Sequence, residues 1–317
     1  AAPLRKALDT VSYADLRKQQ EQARKEGRLM GIGLSTYGEI CAMGPSPATP
    51  AGGWESATVK VEPSGKVTVM TGVSPHGQGE ETTFSQIAAD ALDMPMDRIR
   101  EVRHGSTTHL KQGYGSYSSR SIVMGGSAIV EAAGKLKAAI REAAAKHFNC
   151  SASDISIDGD KVVGPDTASR PLGAFAGVSS EGTYASKKRT YSYGAHAAHI
   201  AVDPGTGHVA LLDYVAVEDV GRIINPLTLH GQTLGAIVQG LGGALLENLA
   251  YDEEGQFLAG SLADYLLPTC GDFPVIRAVA IVDQRGGVEL LHRFSSVHIG
   301  VNLVRCSVSH RLLYNLF

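Results

Sequence analysis

Two short runs in the first third of the chain alternate apolar and polar side chains. Ala57-Thr58-Val59-Lys60-Val61 and Val67-Thr68-Val69-Met70-Thr71 each place apolar residues on one face at period two. Glu62-Pro63-Ser64-Gly65 between them has the composition of a turn, so the pair reads as a hairpin. The second run passes through His76-Gly77-Gln78-Gly79 into a segment where Phe84, Ile87, Ala88, Ala91 and Leu92 recur at helical spacing. That spacing predicts a helix over 81–92. The same design returns from residue 197: two strands around Asp203-Pro204-Gly205-Thr206-Gly207, a polar loop, then an apolar helix rich in small residues over about 229–249. A strand-strand-helix unit used twice predicts an α+β fold of two related subdomains with mixed sheets.

The remaining pattern fills in around these units. Tyr13 opens an exposed helix rich in Lys, Arg, Gln and Glu that ends at Gly27. A long helix over 121–148 carries Val123, Ile129, Leu136 and Ile140 on one face, and 150–164 forms a small hairpin around Asp158-Gly159-Asp160. The Gly/Ser-rich stretch 170–189 reads as a surface connection, and the subdomain boundary is placed there. The division is therefore 1–54, a helix and strand continuing an upstream domain; 55–169, the first subdomain; 190–282, the second; and 283–317, a tail of different character.

Composition narrows the class. With 43% hydrophobic and 19% charged residues and a net charge of -3, nothing favours nucleic acid or an anionic membrane surface as partner. Glycine is in excess, 37 of 317 residues, against a usual usage of about 7%, which points to tight turns and close backbone approaches. Cys41, Cys150, Cys270 and Cys306 lie far apart with no CxxC and fit a reducing compartment. Residues 1–24 are charged and lack the apolar core of a signal peptide, and no apolar run approaches a membrane span. The expected location is the cytoplasm.

Candidate chemistry sits in loops before helices. Gly77-Gln78-Gly79 is either an ordinary glycine turn or a nest where backbone N-H groups, the helix dipole and the Gln78 amide meet an anion or polar heterocycle. Gly113-Tyr114-Gly115-Ser116-Tyr117-Ser118-Ser119-Arg120-Ser121 is either a solvated approach to a serine cap or a phosphate cradle backed by a guanidinium. Gln232, near the start of the second glycine-rich helix, mirrors Gln78 and is otherwise a helix-surface glutamine. The 11 histidines form no HExxH and no Cys/His cluster; His196 and His199 fall in a strand pattern and point to opposite faces. No metal ligand set is predicted.

Four ordered motifs carry a family resemblance. His76-Gly77-Gln78-Gly79-Glu80-Glu81-Thr82-Thr83-Phe84-Ser85-Gln86-Ile87-Ala88 resembles the GQG pterin motif of the large molybdenum subunits of the xanthine dehydrogenase, aldehyde oxidase and carbon monoxide dehydrogenase family. Residues 115–121 look like its second cofactor loop. Asp219-Val220-Gly221-Arg222-Ile223-Ile224-Asn225-Pro226 with Gly231-Gln232 is similar to a third, and Asp264-Tyr265-Leu266-Leu267-Pro268-Thr269 fits the segment that follows.

The resemblance covers roughly 1–282 and implies a molybdenum cofactor-binding type of fold in the C-terminal part of such a subunit. By it, Gly77, Gln78 and Gly79 would bond the pterin. Ser116, Tyr117, Ser118, Ser119, Arg120 and Gln232 would hold the pterin and its phosphate or cytosine dinucleotide extension. Molybdenum would ride on the pterin, which accounts for the missing protein ligands. The implied reaction is water-derived hydroxylation or oxidation of a small substrate (an aldehyde, an N-heterocycle or CO), with electrons leaving through iron-sulfur clusters to FAD on partner subunits. The family's catalytic glutamate motif, Gly-Ala-Lys-Gly-x-Gly-Glu, has no good match: Glu289 follows Gly286-Gly287 without the lysine. The catalytic residue is therefore unassigned. The tail, where Arg285, Arg293, Arg305 and Arg311 face only Asp283 and Glu289, reads as foreign to the family. A catalytically inactive remnant that binds cofactor or a partner subunit is the alternative.

Overall fold

The computed structural model describes residues 2–42, 53–108, 110, 112–185 and 190–281. The expectation for the tail over 283–317 falls outside them. In chain order the elements are α1 (Ala2–Thr10), α2 (Tyr13–Lys25), β1 (Leu29–Cys41), β2 (Trp54–Val61), β3 (Val67–Thr71), α3 (Glu80–Leu92), β4 (Ile99–Arg103), a π-helical turn (Ser121–Gly126) running into α4 (Ser127–Phe148), β5 (Ser156–Asp158), β6 (Lys161–Val163), β7 (Ser169–Pro171), β8 (Ser179–Ala185), β9 (Thr190–Val202), β10 (Val209–Asp219), α5 (Pro226–Leu245) and β11 (Ile276–Ala280). Among the described residues no helix is long and apolar enough to cross a membrane.

Both predicted hairpins form. β2 pairs antiparallel with β3, and β9 with β10. Each helix then returns the chain to a strand parallel to the second hairpin strand: α3 leads to β4 beside β3, and α5 leads to β11 beside β10. The repeat is thus strand-strand-helix-strand, one element longer than the hydrophobic pattern showed. The two sheets have matching orders, β8-β2-β3-β4 and β1-β9-β10-β11. The fold is mixed α and β with mixed sheets.

The outer strands depart from the sequence reading. β1 pairs with β9 along its whole length, from Leu29↔Val202 to Cys41↔Thr190. The N-terminal segment therefore joins the second sheet. The stretch read as a surface connection over 170–189 contains β8, which pairs with β2 from Trp54↔Ala185 to Lys60↔Ser179. Its serines and glycine hid a strand because β8 lies under α4 and needs small residues there. Gly182 is the tightest point: a Cβ on it would stand 2.3 Å from the Ala128 carbonyl oxygen and 2.4 Å from the Ala132 nitrogen. Gly182→Ala is accordingly expected to destabilise the chain by about 1–3 kcal/mol, because helix backbone rather than a flexible side chain must give way. A denaturant midpoint equal to wild type would refute that contact.

Packing follows the predicted faces. Val59, Val61, Val67 and Val69 meet Phe84, Ile87 and Leu92 of α3 and Ile129, Leu136 and Ile140 of α4 in one core. In the second sheet Ala195, Ala197, Val215 and Val217 pack against Ala7, Val11 and Leu16, while Ala198, Tyr214 and Ala216 face Ile237 and Leu241 of α5. His196 and His199, three apart, fall on opposite faces of this sheet, as strand geometry requires.

Candidate functional site

Chain reversals at the ends of β3 and β10 bring three separated segments together. After β3 the backbone passes through Gly77 (φ 100°) and Gly79 (φ 84°), left-handed values that suit glycine and are strained for other residues. Gly79 caps α3 with no side-chain hydrogen bond. The first-turn N-H groups are thus left without a capping side chain, at the positive end of the helix.

Between the glycines, the Gln78 Oε1 accepts a hydrogen bond from the His76 N-H at 2.5 Å. Its Nε2 is buried and has no hydrogen-bond partner among the described residues. An amide fixed through its oxygen, with its two N-H donors unused, is built to serve an acceptor from outside the chain. Beside it the backbone is open: a Cβ on Gly77 or on Gly115 would meet nothing within 4 Å.

The serine loop lies against this turn. Ser116 Oγ donates to the Ser74 carbonyl at 2.8 Å and stands 3.2 Å from Glu80 Oε2, so it ties the loop to the start of α3. Ser118 and Ser119 both have positive φ, 48° and 51°. Ser118 and Tyr117 are exposed, whereas Ser119 is buried. The helix that follows does not start with a serine cap, as the ordinary reading of the loop had it; it opens as a π-helical turn after Arg120. Turns of that kind recur at functional sites.

Arg120 is placed differently from a phosphate-facing guanidinium. It is fully buried, and its terminal nitrogens donate to Glu55 Oε2 at 2.6 Å, the Gly115 carbonyl at 2.7 Å and the Trp54 carbonyl at 2.6 Å. Both terminal nitrogens are thus committed inside the protein, and the side chain braces the loop from beneath. Glu55 lies outside the four motifs, yet the pattern carries its signal. It shares the inward face of β2 with Ala57, Val59 and Val61, all 0% exposed, and a carboxylate at such a position requires a buried partner.

The third segment comes from the second unit. Asp219 closes β10, accepting from Tyr193 Oη at 2.7 Å and Gly221 N at 3.0 Å. Asn225 then caps α5, its Oδ1 accepting from Leu227 N at 3.0 Å and Thr228 N at 3.1 Å. Its Nδ2 donates to Gln86 Oε1 of α3 at 2.9 Å. Thr228 Cγ2 would lie 2.7 Å from a Cβ on Gly79, so the first turn of α5 touches the N-cap of α3.

Gln232 is half-buried and lies one turn beyond Thr228 on the same side of α5. It is not the positional mirror of Gln78, which precedes its helix; α5 begins at Pro226, earlier than the predicted 229, because Asn225 and Pro226 start it. Thr233 fixes α5 to the sheet by donating to Glu218 Oε2 at 3.1 Å, and Tyr37 donates to Glu218 Oε1 at 3.0 Å. Burial, then the Glu218 charge, raises the Tyr37 and Tyr214 phenols, which therefore stay protonated.

Among the described residues no group of three or more His, Cys, Asp or Glu side chains could hold a metal ion. What the arrangement offers is polar organic recognition: an unused amide, an uncapped helix start, serine hydroxyls and open glycines.

Comparison with known proteins gives the same direction. Residues 6–274 match the family model described as molybdopterin cofactor-binding domain. The chain is 32% identical to the gamma subunit of the 6-hydroxypseudooxynicotine dehydrogenase complex of Paenarthrobacter nicotinovorans, over 88% of this chain and 36% of that subunit. It is also 32% identical to the carbon monoxide dehydrogenase large chain of Hydrogenophaga pseudoflava, over 86% of this chain and 36% of that one. The chain thus spans little more than a third of these relatives. Among solved structures, quinoline 2-oxidoreductase from Pseudomonas putida 86 superposes with a TM-score of 0.83 at 30% identity, covering 99% of this chain and 43% of that one. The chain belongs to the molybdopterin cofactor-binding domain family of molybdenum-binding large subunits.

Proposed function

We propose that this chain is the C-terminal part of a molybdenum hydroxylase large subunit and holds molybdopterin where the Gln78 turn, the serine loop and the first turns of α5 converge. The observation that carries this reading is the buried Gln78 Nε2, without a hydrogen-bond partner among the described residues and beside the open Gly77. Gly77, Gln78 and Gly79 would bond the pterin. Ser116, Tyr117, Ser118 and Ser119 would line its phosphate or cytosine dinucleotide end with Gln232 opposite, and Arg120 would serve from below. When bound, the cofactor supplies the redox chemistry, accepting electrons as a small substrate is hydroxylated or oxidised with oxygen from water.

This chain's own contribution is to bind and orient. Relatives named as a subunit of a complex and as a large chain support partner subunits; in this reading those partners carry the iron-sulfur clusters and FAD, and the complex works in the cytoplasm. Aldehydes, N-heterocycles and CO remain the candidate substrates.

The test is metal and pterin analysis of the chain purified after coexpression with its neighbouring subunits. Near-stoichiometric molybdenum and pterin are expected, and their absence would overturn the reading. Cofactor without turnover would favour the binding-only alternative, which the poor match around Glu289 supports.

A further inference from the structure

Loop 113–120 lies in no sheet or helix, yet it keeps two consecutive serines at positive φ. Such residues are strained and persist where surrounding contacts over-determine them. The Ser118 carbonyl accepts from the Ala42 N-H at 3.1 Å, and the start of the loop is held by one ion pair. Glu55 Oε2 accepts from Arg120 at 2.6 Å and from the Tyr114 N-H at 3.1 Å. Arg120 in turn grips the Gly115 carbonyl, two consecutive loop residues thus being clipped by the two halves of one pair. Both side chains are 0% exposed. The Tyr117 and Tyr114 rings stand 5.1 and 5.9 Å from the guanidinium carbon, within cation–π range.

The pair also reaches the other loop. A Cβ on Gly72, at the end of β3, would lie 2.2 Å from Glu55 Oε1 and 2.6 Å from the Gly113 Cα, so the serine loop rests directly on the strand that leads to Gln78. From the far side Ser116 donates to Ser74. Any tilt of Glu55 or Arg120 therefore moves both loops.

We propose that Glu55 and Arg120 are a positioning pair for the cofactor: buried beneath the site and touching no ligand, they set the serine loop against the Gln78 turn before the pterin arrives. Preorganised donors hold a ligand more tightly because less order is lost on binding. The inference rests on the pterin reading above, and the test separates the two.

The native complex is compared with its Glu55→Gln and Arg120→Lys forms by amide hydrogen exchange and by pterin retained after gel filtration. In wild type the Tyr114 amide is expected to be protected as strongly as those of β3. In Glu55→Gln, exchange across 113–121 should rise at least ten-fold with Val59 and Val69 unchanged, and pterin retention should fall at least ten-fold. Arg120→Lys, which keeps the charge but loses the fork, should fall in the same direction. Unchanged loop exchange, or faster exchange with full retention, would overturn the positioning role and leave the pterin site standing. Absence of pterin from the wild-type complex would overturn the site reading and the pair's role together. Should a variant fail to fold, rapid exchange of Tyr114 in wild type alone sinks the proposal.

Discussion

Arg120→Ala is expected to destabilise the folded chain by about 3–5 kcal/mol, the usual cost of leaving one member of a buried ion pair uncompensated. The geometry places it at that end of the range of single substitutions. Arg120 is among the largest fully buried side chains, and its loss strands the Glu55 carboxylate together with the Gly115 and Trp54 carbonyls it now satisfies. Thermal unfolding should show a drop on the order of 10 °C, from the usual few degrees per kcal/mol in chains of this size. The penalty comes from the unpaired charge, so removing both charges in a Glu55→Gln, Arg120→Met pair should cost less than Arg120→Ala alone. If the double variant is the less stable of the two, attraction and packing across the pair outweigh the stranded charge.

Gln78→Ala is expected to act on the cofactor and leave the fold nearly intact. Gln78 is half-buried and its one bond among the described residues, from His76 N, is on the exposed turn, so stability should stay within about 1 kcal/mol of wild type. Its unused Nε2 donors are the part at stake. Hydrogen bonds to a charged or strongly polar partner are worth roughly 1.5–3 kcal/mol, which corresponds to about a 10- to 100-fold loss of molybdenum and pterin in the purified complex. Cofactor content equal to wild type in a folded Gln78→Ala complex would remove this residue from the site. A parallel fall in stability would instead mark the turn as structural.

The site was legible in parts, and the parts share a physical property. Glycines at Gly77 and Gly79, a helix start after them and an amide between them depend on residues adjacent in sequence, and each is found where the pattern put it. From its neighbours alone Arg120 reads as backing a phosphate cradle; its ion-pair partner Glu55 lies 65 residues away. By its place near a helix Gln232 reads as a match to Gln78, but Asn225 sets the start of α5, its side chain capping the helix and also binding Gln86 of α3. Glu55 was the signal to heed, a carboxylate on the inward side of an alternating strand.

The sequence by itself determined the two hairpins, the helices that follow them, the faces those helices bury and the order of the four motifs. Hydrophobic period and turn chemistry act over a few residues, so a linear reading captures them. Only the tertiary structure decided that β1 lies beside β9 and β8 beside β2, that the N-terminal ends of α3 and α5 meet at Gly79 and Thr228, and that Arg120 points inward. Strand partners and side-chain directions are settled by backbone hydrogen bonds and by the cost of burying an unpaired charge. Both depend on residues the fold brings together from distant parts of the chain.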